Sequence, residues 1–147
     1  MKLFNSSEIQ ENINSVLNQP KVNLICRHWA PAKFKTEASE EHINIIRGNI
    51  TDFKSLATFW IKSLEKLFEN YHEDETDYHS WFNGECTEIS EREFYTTINS
   101  YTTRLKKPLL MDNNYLSFYK VSYKFDEVFL LAKTESQLFL FNWFTTA

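Results

Sequence analysis

Glycine is nearly absent from this sequence, with 2 residues in 147, against an average usage of about 7%. Few positions can therefore take a positive φ without steric cost, which disfavours glycine-cradled phosphate sites. No Walker loop, dinucleotide fingerprint or nucleophile elbow is present. Cysteine is scarce too. Cys26 and Cys86 are too few for a disulfide-stapled secreted scaffold, and both are expected to be free thiols. Cys26 lies in the apolar run Val22 to Trp29 and reads as a small buried hydrophobe. No stretch approaches the roughly 20 apolar residues of a membrane-spanning helix, and the longest apolar run, Val128 to Ala132, suits a buried strand. Met1 to Leu17 is polar and amphipathic, without the apolar region of a signal peptide. The expected compartment is the cytoplasm.

What is plentiful is aromatic residues: 13 Phe, 7 Tyr and 4 Trp. They supply the area for a core, and a chain of this length can bury about two-thirds of its unfolded surface without a staple. There is no internal repeat, low-complexity tract or Pro/Gly linker, so residues 1–147 read as one domain. The net charge is −4, and its placement is uneven. Residues 1–50 hold 6 basic and 5 acidic residues, and residues 91–147 hold 7 and 6. Residues 51–90 hold 3 basic and 9 acidic residues, a net −6. An acidic domain releases no phosphate counterions, which argues against nucleic acid as partner and for a basic protein.

Periodicity places the elements. Ile9, Ile13, Val16 and Leu17 recur at helical spacing, with Ser7 and Gln10 as a capping box, so a helix is expected from Ser7 to Asn18. Val22 to Trp29 reads as a strand stopped by Pro31, and His42 to Ile50 as a second strand across a loop from Ala32 to Glu41. Phe53, Leu56, Trp60, Leu64, Leu67 and Tyr71 share one face of a helix capped by Thr51, about 20 residues and about 30 Å long. Lys54, Lys62, Glu65, Lys66 and Glu69 fall on its outer face. Glu73 to Glu88 looks irregular, with Asn83-Gly84 as a turn. Ser90 and Glu93 start a third helix, striped by Phe94, Ile98, Tyr101 and Leu105. Tyr115 to Phe125 alternates with its odd positions apolar. Glu127 to Lys133 and Gln137 to Phe144 follow, separated by a turn at Thr134 to Ser136. The expected fold is α+β: a mostly antiparallel sheet flanked by about three helices, packed on it as a single layer.

Catalytic constellations are sparse. Cys26 and His28 share a strand face, yet one strand gives little reach for a dyad, and a core cysteine beside a hydrogen-bonded histidine is the plainer reading. His72, Glu73, Asp74, Glu75, Asp77, His79 and Cys86 could each ligate metal, but their spacing fits no zinc or calcium pattern. No metal, no cofactor and no enzymatic activity are expected.

The distinctive stretch is Glu69 to Phe82, where carboxylates alternate with aromatics. Acid steers a basic partner, and aromatics make desolvated anchors. The expected partner-binding residues are Glu69, Glu73, Asp74, Glu75, Asp77, Tyr78, Trp81 and Phe82. A solvated loop is the plain alternative.

The segment Asn49 to Leu67 resembles the helix that follows an early strand in some immunity proteins of bacterial contact-dependent growth inhibition. The shared kernel is Ile50 to Lys54 and Trp60 to Leu64, within about 20 matching residues. The resemblance implies a sheet flanked by helices and a cytosolic antidote. Such an antidote binds a toxin C-terminal domain, often a nuclease, and blocks its active site. It carries over no binding residues. An adaptor or chaperone for a secreted protein, or a small ligand-binding domain or enzyme, remains an alternative.

Overall fold

The protein is seen in a computed structural model that describes residues 1–69, 78–112 and 114–146. In chain order the elements are α1 (Ser6–Leu17), β1 (Leu24–Trp29), β2 (Glu41–Asn49), α2 (Leu56–Leu67), β3 (Glu85–Glu88), α3 (Glu91–Thr102), β4 (Ser117–Ser122), β5 (Val128–Lys133) and β6 (Gln137–Thr145). Short 3-10 turns occupy Pro31–Lys33, Ile50–Asp52 and Tyr78–Phe82. The six strands form one antiparallel sheet in the order β1-β2-β6-β5-β4-β3. The class is therefore α+β, with β4, β5 and β6 as the expected meander. Thr134 shapes its last turn by accepting from the amides of Ser136 and Gln137 at 3.2 and 2.9 Å.

The helices do not form a single layer. Phe129, Leu131, Leu138 and Leu140 pack into one core with α1 and α2. Leu130, Ala132, Phe139 and Phe141 face the other way and pack with Phe94 and Ile98 of α3. Successive strand side chains point to opposite faces, so the uniformly apolar β5 and β6 need cover on both. For the same reason β4 buries Phe118 as well as Tyr119 and Val121, while Phe125 is exposed.

Local signals misplaced several ends. Asn5, not Ser7, caps α1, its Oδ1 accepting from the Glu8 amide at 2.9 Å. Helix α2 starts at Leu56 under Ser55, because Ile50–Asp52 forms a separate 3-10 turn. Its 12 residues span roughly 18 Å rather than 30 Å; Tyr71 lies outside the described residues. Lys62, expected on the outer face, is 3% exposed; its ammonium donates to the Gln19 carbonyl and to Glu65 at 3.3 and 3.2 Å. Ser90 caps α3 as expected, accepting from the Glu93 amide at 3.1 Å.

The core beneath α2 centres on Trp60. It is fully buried, its ring lies 4.8 Å from Phe129 and 5.8 Å from Phe4, and its Nε1 donates to the Phe82 carbonyl at 2.7 Å. Phe53 and Leu64 are buried with it, and Leu67 is half-buried. Gly84 is set by this packing rather than by a turn. Neither glycine has a positive φ, but a Cβ at Gly84 would lie 2.6 Å from Val121 Cγ1 and 3.3 Å from Trp60 Cζ2.

Candidate functional site

The acidic-aromatic segment leaves the C-terminus of α2. Phe68 closes that helix, its amide donating to the Leu64 carbonyl at 2.8 Å. The segment returns at Tyr78–Phe82. There four aromatic rings meet edge to face. Phe68 lies 5.7 Å from Trp81 and 5.6 Å from Phe82, and Tyr78 lies 5.7 Å and 5.3 Å from the same two rings. Each such pair contributes about 0.5–1.5 kcal/mol beyond its buried area, so both flanks of the segment are held to the core.

This packing sorts the expected binding residues. Tyr78 and Phe82 are buried, at 5% and 0% exposure, and serve the core in the isolated chain. Trp81 is half-buried, and its carbonyl accepts from the Tyr123 hydroxyl at 2.6 Å. Glu69 is exposed and pairs with Lys66 at 3.3 Å. Glu73, Asp74, Glu75 and Asp77 lie outside the described residues, as do Tyr71 and His72. His79 is exposed, on the same 3-10 turn.

Residues 51–90 hold three lysines against nine carboxylates. Of their three lysines, Lys62 is buried against Glu65, and Lys66 is paired with Glu69. Each therefore balances a glutamate three residues on in the chain. Lys54 alone stands against the remaining carboxylates. Glu85 and Glu88 are exposed on β3. Beside the segment lies a recess of about 250 Å³, floored by Val22, Leu24, Phe68 and Tyr78 and rimmed by Lys21 and Glu69.

A second cluster escaped the reading of the sequence. On the face that carries α1 and α2, a polar rung crosses three strands, His28 to Asn44 to Asn142. Asn44 donates to Asn142 at 3.1 Å, and Asn142 donates to Glu127 at 3.1 Å. Burial pushes the Glu127 carboxyl up, and the Asn142 bond partly offsets it. Beside the rung, His28 Nε2 and His42 Nδ1 lie 2.9 Å apart, and His42 stacks on Phe144 with ring centroids 4.6 Å apart. Burial and then His28 lower the basicity of His42. One of the two facing nitrogens donates its proton to the other, and which ring donates depends on the tautomer. The available signal was parity: Asn44 and Asn142 share a strand face with Ile46 and Leu140, where an apolar residue is expected.

Cys26 is exposed rather than buried, because α2 ends beside β1 without covering it. Surrounding protein nevertheless pushes its thiol up, with Lys66 lowering it and Glu69 raising it. A thiol held protonated is a poor nucleophile, and His28 is engaged by His42. Among the described residues no three His, Cys, Asp or Glu side chains stand where they could hold a metal ion, and no helix is long and apolar enough to cross a membrane. No family model, no curated protein and no solved structure matches the chain.

Proposed function

We propose that this chain is an immunity protein. In this reading it is a cytoplasmic antidote that binds the C-terminal domain of a cognate bacterial toxin, of nuclease type, by protein–protein contact and without catalysis of its own. The observation that carries the reading is the uncompensated acid of residues 51–90. Two of its three lysines are engaged by Glu65 and Glu69, and the segment as a whole holds nine carboxylates against three lysines. Nucleic-acid-cleaving domains present basic surfaces to phosphate, and an acidic surface held beside aromatics is complementary to them. The helix resemblance over Asn49 to Leu67 points the same way.

The test is binding kinetics with a purified candidate toxin domain, to be sought in the reading frame directly upstream of this gene. Neutralising Glu73, Asp74, Glu75 and Asp77 together should slow association by about tenfold at low salt, with a much smaller effect near about 0.5 M salt. Truncating Trp81 should speed dissociation by the equivalent of about 2 kcal/mol if its ring anchors the partner. Tyr78 and Phe82 belong in a folding assay instead, because they are core residues. Wild-type kinetics in both variants would place the interface elsewhere.

A further inference from the structure

Strand β1 ends the sheet, with β2 as its neighbour on one side. Among the described residues no backbone hydrogen bond reaches it from any other element. Its four central residues, Ile25 to His28, are all exposed, and Ile25 is 65% exposed. An open strand edge is a row of unpaired N–H and C=O groups, ready to template another strand. Proline guards such edges elsewhere, but here Pro20 and Pro31 stand outside the strand and bracket it.

The surroundings select a charge. No carboxylate occurs between Glu11 and Glu37, a stretch that holds Lys21, Arg27, Lys33 and Lys35. Ile25, Arg27 and Trp29 share one face of β1, with the Arg27 guanidinium 4.7 Å from the Trp29 ring centre. That face offers an apolar seat, a cation and an aromatic wall in sequence. We propose that β1 receives an extended acidic segment of a partner protein by strand addition. Main-chain hydrogen bonds supply affinity, an apolar side chain lies over Ile25, and a carboxylate meets Arg27. A second copy of this chain is a poor occupant, because antiparallel pairing of β1 with itself would bring two cationic stretches together. The Arg27 face is opposite in sign to the net charge of residues 51–90.

The test uses two synthetic peptides, Ac-TEVEVET-NH2 and Ac-TKVKVKT-NH2, added to the isotope-labelled full chain at low salt. The acidic peptide should slow amide exchange in residues 24–29 by about tenfold and shift resonances there, with little effect from the lysine peptide. Arg27→Glu, at an exposed position, should reverse that preference, and Ile25→Lys should weaken both. Equal protection by the two peptides, no protection by either, or β1 amides protected without peptide in a concentration-dependent dimer would each overturn the proposal. These readouts involve no toxin, so they stand or fall separately from the antidote reading.

Discussion

The two edges of the sheet are managed differently. At β3 the edge is short, carries Glu85 and Glu88, and is partly covered. The Cys86 amide donates to the Phe4 carbonyl at 2.9 Å, and Glu85 accepts from the Ser6 amide at 3.1 Å. Phe4 is itself 3% exposed, inserted 5.8 Å from the Trp60 ring. Among the described residues no backbone bond of this kind reaches β1, and its central residues Ile25 to His28 are exposed. The contrast shows that an edge is closed by what docks beside it. Neither strand's own composition decides the matter: β3 is polar and covered, while β1 holds Leu24, Ile25 and Trp29 and is open.

The sharpest way to break this comparison is to remove the residue beneath the closed edge. Trp60→Ala should cost about 3–5 kcal/mol of stability, measured by chemical denaturation. A near-silent midpoint would mean that Trp60 does not support the β3 side. Next, Phe4→Ala should cost about 3 kcal/mol and speed exchange of the Cys86 amide. The matched control on the open edge, Ile25→Ala, should change stability by less than about 0.5 kcal/mol. Equal costs for the two would erase the distinction between the edges.

Thiol labelling sharpens the same contrast. Burial drives the Cys86 thiol up to about 12, whereas Cys26 is exposed. Native protein should therefore take up one equivalent of alkylating agent, at Cys26, and a second only on unfolding. A disulfide between them, seen by mass spectrometry, would contradict both the structure and the free-thiol expectation. The smallest effect concerns the interior rung. Burial raises the Glu127 carboxyl above its ordinary 4.5, so its protonated form favours the fold. The folded state is therefore disadvantaged as pH rises through the raised value. Glu127→Gln keeps an acceptor for Asn142 and should stabilise the protein modestly at neutral pH, with the gain vanishing below about pH 4.5. A pH-independent difference between the two proteins would remove the titration of Glu127 as its cause.

Much of the local architecture was legible. The stripe Phe94-Ile98 and the cap at Ser90 mark α3 because helix spacing and capping act over a few residues. The alternation of Tyr119 and Val121 marks β4 by the same kind of locality. The site was legible in part. Carboxylates and aromatics stand out between Glu69 and Phe82, but composition cannot say which aromatic is an anchor and which is core. Phe82 turns inward where Phe68 meets it edge to face, and Tyr78 packs on Phe82 in turn, contacts that no helix or strand period records. The rung of Asn44, Asn142 and Glu127 was missed for a related reason: Asn44 and Asn142 are 98 residues apart in the chain and become neighbours only when β2 pairs with β6.

By itself, then, the sequence determined the type and order of most elements, the antiparallel meander and the confinement of acid to one quarter of the chain. Each of these depends on the identity and spacing of near neighbours. The tertiary structure decided which surfaces are covered. It placed α3 opposite α1 and α2, buried Lys62 of α2 against the Gln19 carbonyl, exposed Cys26 on β1 and covered β3 with the N-terminal segment. Coverage depends on which distant element docks on a face or an edge. Docking is governed by area and shape across the whole chain, and a local period carries no record of it.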